Sequence, residues 1–126
     1  MMKVKIDTKE IFHVISIEEK DLTANMAEEL MELVAKKQED ENKSLVINLN
    51  GVDSIDDKIA DALLYLHENS YAKGTSFVIC GLSEAVKNKL KAQDLLDTIN
   101  HTPTASEASD IVQMEEIERE LGLDTE

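Results

Sequence analysis

Cysteine and proline each occur once in the 126 residues, and tryptophan is absent. The lone Cys80 excludes an internal disulfide and any cysteine-rich zinc site. Four scattered glycines make turns but no phosphate-cradling loop. Basic side chains are scarce too: 13 against 27 acidic ones, a formal charge of −14. With aromatics at 3%, the chain lacks the basic patches and stacking platforms that nucleic acid requires. The same charge opposes an anionic membrane surface. No apolar run approaches the roughly 18 residues of a membrane span. Met1-Met2-Lys3-Val4-Lys5 also lacks a signal-peptide core. What remains is a cytoplasmic protein without metal or cofactor, whose partners are other proteins or small molecules.

The 42% hydrophobic content suffices for folding, and the length suits one domain over residues 1–126. Lys3 to Ile6 and Ile11 to Ile17, separated by Asp7-Thr8-Lys9-Glu10, read as an N-terminal hairpin. From Thr23 to about Lys37 the spacing becomes helical, with Ala27, Leu30, Met31 and Val34 on one face. Leu45 to Leu49 is a nearly continuous apolar run, which suits a strand covered on both faces. Asn50-Gly51 turns the chain into a helix from about Asp57 to Tyr71, with Ile59, Ala62, Leu63 and Leu66 inward. Lys73-Gly74 closes it, and Ser76 to Cys80 is a second buried strand. Ser83 caps a third helix with Val86 and Leu90 inward. Leu95 to Ile99 reads as a helix end followed by a short edge strand. Thr104 and Glu107 form a capping box, each side chain serving the other's backbone N–H. Ala108, Ile111, Met114, Ile117 and Leu121 then form a buried stripe. The fold class is α/β: a mixed central sheet of four to five strands with about four helices.

Catalysis has no visible carrier. His13, His67 and His101 fall in a strand, a helix and a loop, without neighbours at metal-ligand spacing. Cys80, in a buried strand, has no nearby cation to activate its thiol. One segment stands out: Asp53, Asp56, Asp57 and Asp61 crowd the junction between the central strand and its helix. Helix capping and dipole compensation account for aspartates there. Carboxylates also suit magnesium, but no second cluster completes a metal site. A phosphorylated-aspartate receiver domain would need an acidic pair after the first strand and an aspartate ending the central one. Asp7-Thr8-Lys9 and Asn48 do not supply them.

The stretch Leu45-Val46-Ile47-Asn48-Leu49-Asn50-Gly51-Val52-Asp53-Ser54-Ile55-Asp56 resembles the STAS domain of bacterial anti-sigma factor antagonists. That family pairs an apolar strand and polar turn with Ile-Asp-Ser-Ser-Gly opening a helix. Lys73-Gly74-Thr75-Ser76-Phe77-Val78-Ile79-Cys80-Gly81-Leu82-Ser83 is similar to the family's next strand and turn, and Leu95 to Ile99 to the segment before its last helix. The acidic ending Met114 to Leu121 is similar to that of short, free-standing members. The resemblance implies a non-catalytic regulatory module that binds a kinase-type anti-sigma factor and is switched by phosphorylation of a helix-opening serine. A phosphate there would meet free N–H groups and the helix dipole, and its charge and bulk would alter an interface.

The motif is degenerate in this chain. Asp57 and Lys58 stand where the family has its two serines, with Lys58 at the phosphoacceptor position and Ile59 at the glycine. Asp61 replaces a later small residue, and Thr23 stands in place of another common aspartate. The expected partner-binding face comprises Asp56, Asp57, Lys58, Ile59 and Asp61, with no phosphoacceptor. Ser54 reads as a turn residue and Ser83 as a cap. Two alternatives stand beside a constitutive antagonist: a scaffold or decoy outside sigma control, whose Ile59 and Asp61 obstruct close approach, and a sensor of nucleotides or other small molecules. Residues 103–126, with eight acidic side chains against one arginine, form an acidic helix packed on the domain, its outer face solvated or docking a basic partner.

Overall fold

Two β-branched runs begin the chain, and in the computed structural model, which describes residues 2–122, they form an antiparallel hairpin. Its strands are β1 (Val4–Thr8) and β2 (Phe12–Ile17). β3 (Asp21–Leu22) leads into α1 (Asn25–Asp40), and β4 (Ser44–Asn48) follows. β5 (Ser54–Ile55) precedes α2 (Asp57–Ala72), which leads to β6 (Phe77–Cys80). α3 (Glu84–Ala92), β7 (His101–Thr102) and α4 (Ala105–Glu120) complete the order.

The main sheet runs β1-β2-β4-β6-β7, parallel except for the opening hairpin. Side chains alternate between its two faces, so Leu45 and Phe77 point one way while Val46 and Val78 point the other. The first set joins Ile15, Ile47 and Ile79 under α1, α2 and α3, whose contributions include Leu30, Val34, Ile59, Leu63, Val86 and Leu90. The second set, with Phe12 and Cys80, lies under α4 through Ala108 and Val112. Because both faces are covered, Leu45 to Ile47 of β4 and Phe77 to Cys80 of β6 are continuous apolar runs.

Four local readings change. β3 and β5 pair as a separate two-stranded parallel sheet, which places Ser54 in a strand and not in a turn. The edge strand is His101–Thr102, beyond the Leu95–Ile99 segment, so His101 is a strand residue too. At Thr104 the capping box is half formed: its hydroxyl accepts from Glu107 N–H at 3.2 Å, while the Glu107 carboxylate takes the hydroxyl proton at 3.0 Å.

The fourth concerns the inner line of α4. It runs through Ala105, Ala108, Val112, Glu115 and Arg119, leaving Met114, Ile117 and Leu121 more than half exposed. Along its second half this helix meets Ser76, just before β6, and the end of α2. Glu115 accepts there from Ser76 Oγ at 2.6 Å and from Tyr71 OH at 2.7 Å. Polar groups occupy the place that the apolar stripe was expected to fill. The expected extension of this acidic segment to residue 126 lies partly outside the described residues.

Candidate functional site

The chain leaves β4 through Asn50-Gly51, where Gly51 takes a φ of +96° that favours glycine. Gly81, after β6, packs so close that a Cβ would come within 2.9 Å of the Asn50 backbone nitrogen. Both strand-to-helix turns are therefore held against each other. The β3–β5 pairing fixes the rest: Asp53 N–H donates to Lys20 C=O, Asp56 N–H to Leu22 C=O, and Ser54 Oγ to Asp21. Ser83 caps α3 as the sequence indicates, accepting from Val86 N–H while its own hydroxyl donates to Asp53 C=O.

α2 opens onto this platform. Asp56 has the extended backbone of an N-cap residue, but its carboxylate does not cap α2; it accepts from Ala24 N–H at 2.9 Å, at the start of α1. Asp57 reaches the other way, accepting from Lys89 Nζ of α3 and from Nε2 of Gln93, its C-cap, each at 2.8 Å. The Lys89 ammonium holds the Asp57 carboxyl below the ordinary carboxylate range, and Asp57 in turn raises Lys89. Two adjacent aspartates thus tie α2 to both neighbouring helices.

The side chains of Lys58 and Asp61 are exposed and make no hydrogen bond or ion pair among the described residues. Lys58 is the second residue of α2, where free backbone N–H groups and the dipole favour an anion. Its ammonium sits in a field that would welcome a phosphate. Ile59 does not belong with this group. It is 0% exposed within the main core, because residues 59, 62, 63 and 66 trace the inward line of the helix. It therefore neither presents to a partner nor obstructs one.

One part of the surface was missed from the sequence. A groove of about 1000 Å³ lies between α1 and α2, its walls including Ala27, Met31, Tyr65 and Leu66. Glu28 and Glu32 line it from α1, Lys58 from α2 and Lys73 from the C-cap of α2. Tyr65, half exposed, was legible as the aromatic seven residues after Lys58 on an otherwise polar helix face.

The other chemistry-bearing residues lie elsewhere. Burial pushes the Cys80 thiol up to about 11, so the thiolate nucleophile is suppressed near neutrality. His13 is fully buried, with its ring nitrogens on Thr8 Oγ1 and Glu41 C=O. His67 packs against Tyr71 and Phe77, and its buried Nδ1 has no partner. Among the described residues no group of three or more His, Cys, Asp or Glu is placed to hold a metal ion. No helix among them is long and apolar enough to cross a membrane.

Solved structures with the same fold include an anti-sigma factor antagonist from Mycobacterium paratuberculosis, at 19% identity and TM-score 0.75 over 90% of this chain and 95% of that one. RsbS from Moorella thermoacetica aligns at 21% identity and TM-score 0.74, over 88% and 95%. The anti-sigma factor antagonist SpoIIAA in its unphosphorylated form aligns at 14% identity and TM-score 0.74, over 88% and 96%. The search of curated proteins found no match. Residues 4–108 match the STAS domain family, most of the chain, and the chain belongs to that family.

Proposed function

We propose that this chain is a non-catalytic regulatory module that binds a kinase-type anti-sigma factor through the start of α2, and that serine phosphorylation at that site does not control the contact. The carrying observation is Lys58: exposed, unpaired among the described residues and second in α2, at the position the family resemblance gives to the phosphoacceptor serine. An ammonium group cannot replace a seryl hydroxyl as acceptor, and its charge is opposite to that of a phosphate. The names of the structural relatives support the class of partner, since two are anti-sigma factor antagonists.

The proposed contact face consists of Asp56, Asp57, Lys58 and Asp61, continued by the α1–α2 groove with Tyr65. Asp56 and Asp57 are already committed to α1 and α3, so they set the shape of this face. Lys58 and Asp61 are the groups left to choose a partner. Rim charges of this kind steer encounter and select among partners more than they add affinity. Titration of the chain with a purified kinase-type anti-sigma factor tests the reading. Saturable binding, weakened by Lys58→Glu and by Asp61→Lys, is expected. Failure to bind, with a different regulatory protein recovered from cell extract, would move the chain to the scaffold reading.

A further inference from the structure

Large apolar side chains stand exposed at five places among the described residues, and three of them belong to the end of α4. Met114, Ile117 and Leu121 are 57%, 56% and 66% exposed. They follow one another at intervals of three and four, which on a helix is one line, the form of a seam that packs against a second helix. The line is turned away from the sheet, since Ala108, Val112 and Glu115 hold the inner side of α4. Beside it, between α4 and the β1–β2 turn, runs a groove of about 580 Å³ with Ile11 and Phe12 on one wall and Ile117 on the other. A single helix covers this face of the sheet, so Ile11 and Val14 are only partly buried.

Carboxylates stand on both sides of the seam. Glu10 and Glu120 line the groove, Glu118 follows the other flank, and Asp110 stands one turn before Met114 on the same line. None of these four side chains makes a hydrogen bond or ion pair among the described residues. The cations nearby are already committed. Lys9 pairs with Asp7 at 3.2 Å, and Arg119, the sole base of α4, donates to Ser76 and Glu116.

We propose that the outer face of α4, with this groove, binds a cationic amphipathic helix of a partner protein. Its apolar side chains would cover Met114, Ile117 and Leu121, and its lysines or arginines would meet Glu10, Glu118 and Glu120. A second copy of α4 does not suit the face, because two such surfaces set carboxylates against carboxylates while Arg119 is turned inward. Nucleic acid and anionic lipid are repelled by the same charges. Opposite fields would speed encounter, and the seam supplies the apolar area that is buried afterwards. This face lies across the sheet from α2, so it stands or falls separately from the proposed partner site.

Isothermal titration calorimetry of the full chain tests this with a synthetic helix of leucine and lysine, about 18 residues long, its leucines at intervals of three and four. Saturable binding is expected. A peptide of the same composition in scrambled order should bind about tenfold more weakly or worse, because it offers charge without a seam. Met114→Gln with Ile117→Gln, which leaves the charge unchanged and keeps good helix formers, should cost about tenfold or more. Glu118→Lys with Glu120→Lys should weaken binding and flatten its dependence on salt. Circular dichroism checks the fold of each variant. A chain that does not bind the amphipathic peptide, or binds the scrambled one equally well, overturns the proposal. So does binding indifferent to the glutamine pair. Sedimentation of the wild type as two chains, reduced to one by the glutamine pair, would overturn it in favour of a second copy.

Discussion

Against one face of the sheet, three helices press Leu30, Val34, Ile59, Leu63, Val86 and Leu90 onto Ile15, Ile47, Phe77 and Ile79. Against the other face a single helix sets Ala108 and Val112 on Val46, Val78 and Cys80, and then turns to polar contacts. Arg119 donates to Ser76 Oγ, Ser76 and Tyr71 donate to Glu115, and Asn100 donates to the Tyr71 oxygen. The first face is an apolar core with non-directional contacts. The second combines a small apolar patch with a hydrogen-bond chain, which adds direction where area is short. α2, which carries the proposed binding face, belongs to the well-buttressed side, while α4 rests on contacts that solution conditions can alter.

Removing packing from each side should widen the contrast. Ile59→Ala creates a cavity in the main core and should cost about 2–5 kcal/mol, read from urea denaturation. Val112→Ala should cost less, about 1–3 kcal/mol, because the α4 side has fewer neighbours to lose. Equal losses from the two substitutions would mean that the faces do not differ in the way described.

A smaller effect separates the faces by pH. Burial, together with the hydrogen bond to Glu115, pushes the Tyr71 phenol up to about 12. An unfolded tyrosine titrates near 10. Between these values the folded state holds a proton that the unfolded state has released, so stability falls as pH rises through that window. The stabilising contribution is fully present below about pH 10. The urea midpoint should therefore drop between about pH 10 and 12, and Tyr71→Phe should reduce the drop.

The apolar runs of β4 and β6, the α1 and α2 stripes and the Ser83 cap were legible because each is specified within a few residues of sequence. The family resemblance, too, rests on that contiguous stretch. What escaped was decided at a distance. Two-residue β3 and β5 are too short to carry a period, and they form by pairing with each other. Asp56 sits where a cap is expected, yet its carboxylate serves α1, 32 residues away in sequence. In α4 the hydrophobic residues Met114 and Ile117 have the right spacing for burial, but the helix runs past the apolar part of the sheet, and Glu115 turns inward instead. At Ile59 the helical period was read correctly for the core, while the family alignment drew the same residue into the binding face. Its burial resolves the conflict in favour of the period.

The claim on which the functional reading turns is that a permanent cation has taken the place of a phosphorylatable hydroxyl at the second residue of α2. Intact mass after incubation with the kinase-type anti-sigma factor and ATP, for the wild type beside Lys58→Ser, addresses it most directly. The account predicts no added phosphate on the wild type and one on the serine variant. Phosphate on residues 57–61 of the unaltered chain would contradict it.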